Sequence, residues 1–128
     1  MTGADVSLRG DPLLLRHLVR NLLENAYRHG QGKDVKVALA STTESAILTV
    51  EDGGPGIPEA ERERIFAPFY RLSAPGGTGG ASGFGIGLAL VRQVARYHGG
   101  DVQALAQPAG GGSRFEVVLP REGPPAAT

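Results

Sequence analysis

The sequence predicts an α/β (α+β) two-layer sandwich, a mixed and mostly antiparallel sheet covered on one face by about three helices. Apolar residues recur at helical spacing in two long segments and alternate in several short ones. Short turns join the short segments in pairs, and strands joined that closely pair antiparallel. Strictly alternating βαβ units are missing, which argues against a doubly wound parallel sheet.

Taken in order, Val6 to Arg9 is the stub of a strand. Asp11 to His29 reads as a helix: Asp11 suits the N-cap and Pro12 the first helical position. Leu15, Leu18, Val19, Leu22, Leu23 and Ala26 supply its apolar stripe, and Gly30 its stop. Asp34 to Ala40 and Ala46 to Asp52 are strands on either side of a Ser-Thr-Thr-Glu-Ser turn. Gly53 to Pro58 must be loop, and Glu59 to Ile65 a short charged helix begun by Pro58. Leu72 to Gly83, set in the run RLSAPGGTGGASG, has almost nothing to bury, the composition of a functional lid or a disordered segment. A second helical stripe follows through Ile86, Leu90, Val94 and Tyr97, with Gly99 and Gly100 ending it. Val102 to Ala106 and Arg114 to Leu119 form a closing hairpin around Pro108-Ala-Gly-Gly-Gly. Residues 1–120 make one domain without repeats, and 121–128 read as a disordered tail.

Composition narrows the function. The 128 residues suffice for one core, and 13 basic against 13 acidic side chains leave no field to gather nucleic acid. No apolar run is long enough for a membrane helix. With no cysteine, disulfide scaffolds, thiol nucleophiles and cysteine-held metals are excluded.

Glycine is abundant, with 20 residues, and the chemistry gathers where it clusters. On the first helix Asn21, Asn25 and Arg28 share one face, with His17 and Glu24 beside it. Asparagine is a weak helix former, and amides are poor core material. A solvated face is the simple explanation; amide oxygens holding Mg²⁺ together with phosphate oxygens is the other. Asp52-Gly53-Gly54-Pro55-Gly56 ends a strand, where a fixed carboxylate can accept a hydrogen bond from an exocyclic amine such as adenine N6. Gly83-Phe84-Gly85-Ile86-Gly87-Leu88 opens a helix, offering backbone N–H groups to an anion. This spacing is neither a dinucleotide fingerprint nor a Walker A loop, since neither Lys33 nor Lys36 follows such a loop. Phe66-Ala67-Pro68-Phe69-Tyr70-Arg71 precedes the glycine-rich run, either as core or as the anchor of a lid.

In this order the motifs NLLENAYRHG, EDGGPGIP, IFAPFYR and GFGIGLALV resemble the N box, first glycine box, F box and second glycine box of bacterial sensor histidine kinases. The resemblance runs from about Asp5 to Pro120 and implies the Bergerat fold shared with gyrase, Hsp90 and MutL. It implies ATP and Mg²⁺ as ligands: Asn25 would hold Mg²⁺, with Asn21 nearby and Arg28 and His29 bordering phosphate and ribose. Asp52 would bind adenine N6, and Gly54, Gly56 and Ile57 would shape the adenine pocket. Gly83, Phe84, Gly85, Gly87 and Leu88 would form the phosphate side, with Arg71 reaching the terminal phosphate.

Related ATPases carry a glutamate four residues before the Mg²⁺-binding Asn to orient water; here that position is Asn21, which cannot act as a base. The resemblance therefore implies transfer to a positioned nucleophile with little hydrolysis. That nucleophile would be a histidine on a separate dimeric helical hairpin, because His17, His29 and His98 lack the phosphoacceptor context. His17 reads as partly exposed and His98 as a helix C-terminal residue. The chain then looks like the ATP-binding half of a kinase. Its partners would be the dimerisation and phosphoacceptor domain of the same parent and a response regulator downstream. A monomer in the cytoplasm is expected, under a parent anchored in the cell membrane. Serine kinases that act as anti-sigma factors, and non-catalytic nucleotide-binding modules of this fold, are the alternatives.

Overall fold

The computed structural model describes residues 2–3, 8–29, 35–68, 70–71, 83–85, 87–106 and 112–122. In chain order the elements are β1 (Thr2–Gly3), α1 (Pro12–His29), β2 (Lys36–Ser41), β3 (Ser45–Asp52), β4 (Tyr70–Arg71), β5 (Gly83–Gly85), α2 (Gly87–Tyr97), β6 (Asp101–Ala106) and β7 (Ser113–Pro120).

Asp11 starts α1 as its side-chain chemistry requires. Its Oδ1 accepts the N–H groups of Leu13 at 2.9 Å and Leu14 at 3.1 Å, two donors that the first turn would otherwise leave orphaned. Leu18, Leu22 and Ala26 are buried, while Val19 and Leu23, expected in the same stripe, are each 36% exposed. A helix lying on a sheet needs only a band about 100° wide to fill the core, and these two fall at its margin.

The main sheet runs β1-β2-β3-β7-β6. β1 is parallel to β2, and the other pairs are antiparallel. The turn between β2 and β3 satisfies itself: Thr42 N–H donates to Ser45 O at 2.8 Å, and Thr42 Oγ1 accepts the Ser45 N–H at 3.0 Å. Alternation puts Ala46, Val50 and Asp52 of β3 on the inner face with Ser113, Phe115, Val117 and Leu119 of β7. Phe115 lies opposite both Val50 and Ala104 in the register. α1 and α2 pack on each other and on this face, closing the core over Leu18, Leu22, Ile65, Leu88, Val91 and Val94.

The two-layer architecture is the expected one, with three local differences. The expected helix from Glu59 to Ile65 is a pair of 3₁₀ turns, Glu59–Glu61 and Arg64–Phe66. Only Ile65 and Phe66 bury anything there, and Ala67 must turn extended (φ −73°, ψ 143°) before Pro68. The helix expected from Gly83 begins at Gly87; Gly83–Gly85 instead forms a strand with Tyr70–Arg71. Three glycines in five residues are poor helix formers, and Gly83 and Gly85 pair with β4 instead. A short strand, β1, lies at Thr2–Gly3; of the stub expected at Val6–Arg9, Leu8 and Arg9 are not strand and residues 6–7 lie outside the described ones. The expected lid over 72–82, the loop over 107–111 and the tail over 123–128 also lie outside them. Arg121, read as tail, donates its N–H to Glu44 O and accepts the Arg9 N–H, both at 2.8 Å. No helix among the described residues is long and apolar enough to cross a membrane.

Candidate functional site

Two buried polar side chains, Asp52 and Ser113, face each other where β3 ends and β7 begins. Asp52 is 1% exposed, and a carboxylate so deeply placed is costly unless its oxygens find donors. Its Oδ1 accepts the Gly54 N–H at 2.9 Å, so the first turn of the glycine loop helps to hold it.

The loop after Asp52 folds back on Gly112. That residue sits at φ +85°, and a Cβ there would stand 1.9 Å from the Asp52 carbonyl oxygen, so only glycine fits. Gly56 closes the same contact from the other side, 2.9 Å from the Gly112 oxygen at its own Cβ position. Ile57 packs against the core, and Arg62 Nε donates to its carbonyl at 3.2 Å. These contacts fix the glycine loop as a rim around Asp52.

α1 lies directly on β3. From it Asn25 is buried, 9% exposed, and its Nδ2 finds no hydrogen-bond partner among the described residues. An orphaned amide at this helix–sheet junction is an unusual cost for a fold to carry, and a ligand there would remove it. Asn21 is half-buried, whereas Arg28, Glu24 and His17 are exposed, with Glu24 paired to Arg20 at 3.1 Å. The face expected from spacing thus runs from buried to exposed. His29 closes the helix.

The third wall begins at α2. Gly87 opens the helix with no described residue within 4 Å of its Cβ position, while the Leu88 side chain is buried in the core, leaving only its backbone for a ligand. The β4–β5 pair aligns Tyr70 with Gly85 and Arg71 with Gly83, joining the F-box segment to Gly83, Phe84 and Gly85. The Phe66 and Phe115 rings meet edge to face, centroids 6.4 Å apart, and the Arg92 guanidinium lies over the Phe66 ring, 4.7 Å from its centroid. Arg92 also pairs with Glu63 at 2.8 Å and Asp101 at 3.1 Å. Burial alone would lower the Arg92 pKa, but the two carboxylates reverse this and hold it above its usual value. Among the described residues no three His, Asp or Glu side chains gather as a metal cluster.

Sequence reasoning missed Gly112, Ser113 and Arg92. Ser113 had a legible signal: it takes the inward phase of β7, where its neighbours in phase are Phe115, Val117 and Leu119. Gly112 had none, because a run of glycines in a turn looks the same whether or not backbone presses on it.

Residues 10–123 match the family described as histidine kinase-, DNA gyrase B-, and HSP90-like ATPases, and the chain belongs to that family. The sensor histidine kinase GtrS of Pseudomonas aeruginosa is 40% identical over 114 residues, covering 89% of this chain and 22% of GtrS. Among solved structures, the mycobacterial sensor histidine kinase MprB superposes with a TM-score of 0.75 at 36% identity, over 93% of this chain and 76% of that one. The ATP binding domain of PrrB from Mycobacterium tuberculosis gives 0.69 at 30% identity, over 98% and 79%. This chain spans only 18% to 27% of the length of the first curated relatives.

Proposed function

We propose that this chain is the catalytic part of a two-component sensor histidine kinase, binding Mg-ATP and donating the γ-phosphate to a histidine on a separate phosphoacceptor domain. The observation that carries the reading is Asp52, a carboxylate 1% exposed and held by the loop that follows it. Such a group matches the exocyclic amine of adenine, which needs an acceptor in a dry pocket. Membership of an ATPase family and likeness to the PrrB ATP binding domain support the same ligand.

The residues also suit a divalent ion. The Asn25 Nδ2 has no partner among the described residues and suits a phosphate oxygen as acceptor, while its neutral amide oxygen suits Mg²⁺, whose shell phosphates and water would complete. Asn25 would hold the ion with Asn21 beside it. When bound, the ion would neutralise phosphate charge.

The chain's own contribution is positioning. Asp52 orients adenine, with Gly54, Gly56 and Ile57 shaping the pocket. Backbone N–H groups of Gly83 and Gly85 in β5 and of Gly87 at the start of α2 meet the phosphates, and Arg28, His29 and Arg71 border them. Transfer then breaks the bond between the γ-phosphorus and the bridging oxygen, which leaves with ADP, as the imidazole nitrogen bonds to phosphorus. Asn21 cannot take a proton from water, so hydrolysis stays slow. The parent protein supplies the histidine from its dimerisation domain, and a response regulator receives the phosphoryl group. The domain works in the cytoplasm, under a membrane-anchored parent.

The test uses γ-labelled ATP with and without a purified dimeric helical hairpin bearing a phosphoacceptor histidine. The expected result is label on the hairpin and negligible phosphate release from the chain alone. Steady phosphate release without the hairpin would make the chain an ATPase instead.

A further inference from the structure

The far ends of α1 and α2 meet at an imidazole that the proposed transfer does not use. His98 is wholly buried. Its Nδ1 lies 2.8 Å from the Val94 carbonyl oxygen, and its Nε2 lies 3.0 Å from the Asp11 backbone nitrogen. A carbonyl can only accept and a backbone N–H can only donate. Nδ1 therefore carries the proton and Nε2 is bare, so one neutral tautomer satisfies both partners. The contact joins residues 87 positions apart, linking the last turn of α2 to the N-cap of α1. The chain is threaded tightly there: a Cβ on Gly10 would stand 2.7 Å from the imidazole Cδ2 and Nε2, and 2.8 Å from Leu15 Cδ1.

We infer that His98 is a positioning residue for the nucleotide site: through the bond from Asp11 N–H to its Nε2 it fixes α1 against α2. It thereby sets where Asn25 stands relative to Gly87. The inference rests on the nucleotide reading above. Its physical basis is that helices are stiff and these two pack side by side, so an angle fixed at one end is carried to the other. The site lies at that other end, since Asn25 sits in the second half of α1 and Gly87 opens α2.

Two substitutions separate this role from mere filling of space. His98→Gln keeps an acceptor at the Nε2 position, and His98→Asn keeps only a group at the Nδ1 position. Heteronuclear NMR of the wild-type chain should show the Nδ1–H tautomer at His98. With an uncleavable ATP analogue and Mg²⁺, calorimetry should show His98→Asn weakening binding about fivefold or more while His98→Gln stays close to wild type. Where His98→Asn fails to fold, Gly10→Ala crowds the same ring and should produce the same loss. An Nε2–H tautomer, or folded variants that bind alike, would overturn the inference. If the wild-type chain binds no nucleotide, the nucleotide reading fails by itself. The resonances of the Asn25 side-chain amide and the Gly87 N–H then decide: a shift in the Asn variant and not in the Gln variant supports the clasp, and none in either overturns it.

Discussion

A buried carboxylate and a buried amide nitrogen with no partner among the described residues are both costs, and they stand on β3 and α1, which pack on each other. Residue type made them visible in the sequence: asparagine inside a helix and aspartate before a glycine loop are out of place for packing alone. Gly112 was not visible as a site residue, since what makes it special is the Asp52 backbone that presses on it. Replacing Asn25 with Asp puts a negative charge beside the phosphates. It should weaken Mg-ATP binding about tenfold or more in a calorimetric titration. Unchanged affinity would remove Asn25 from the site. Gly112→Ala must either leave φ +85° or drive its Cβ into the Asp52 carbonyl. A loss of about 1–3 kcal/mol in urea unfolding is expected, together with weaker nucleotide binding; an unmoved midpoint would contradict the buttress.

The 3₁₀ turn at Arg64–Phe66, α2 and β6 are held together by Arg92, which covers the Phe66 ring and pairs with Glu63 and Asp101. The long helices and the strand pairs could be read from periodicity, because each repeats its signal over many residues. The short pieces could not. Glu59 to Phe66 carries only two buried side chains and adopts whatever geometry lets Arg92 and the core reach them. Arg92→Ala removes a cation–π contact and two half-exposed ion pairs, so urea unfolding should show a loss of about 1–2 kcal/mol. A change within error would mean that the clamp is decorative. Burial pushes the Asp101 carboxyl up, but bonds from Arg92, the Val102 N–H and Arg96 outweigh it and hold the group below its usual value of 3.8. A lowered native value means that this stabilisation is complete above the unfolded-state value and is lost as pH falls through the native one. Wild-type stability should therefore drop below about pH 4, and Arg92→Ala should flatten that drop.

At the scale of the fold, the order of helices and strands sufficed to specify a two-layer sandwich. The parallel pairing of β1 with β2 and the tie between His98 and Asp11 did not appear in it. Both are contacts between distant segments, and neither leaves a periodic trace. The proposed nucleotide site depends on the same kind of contact: Asn25, Asp52 and Gly87 stand on separate elements, with α1 packed against both β3 and α2. The direct test is a calorimetric titration of the wild-type chain and Asp52→Asn with ATP, an uncleavable analogue and GTP, each with and without Mg²⁺. Wild type should bind the adenine nucleotides in preference to GTP and more tightly with Mg²⁺. Asp52→Asn should stay folded and lose about tenfold or more of that affinity. Equal binding of ATP and GTP, or a folded Asp52→Asn variant that binds ATP as tightly as wild type, would contradict adenine recognition by this carboxylate.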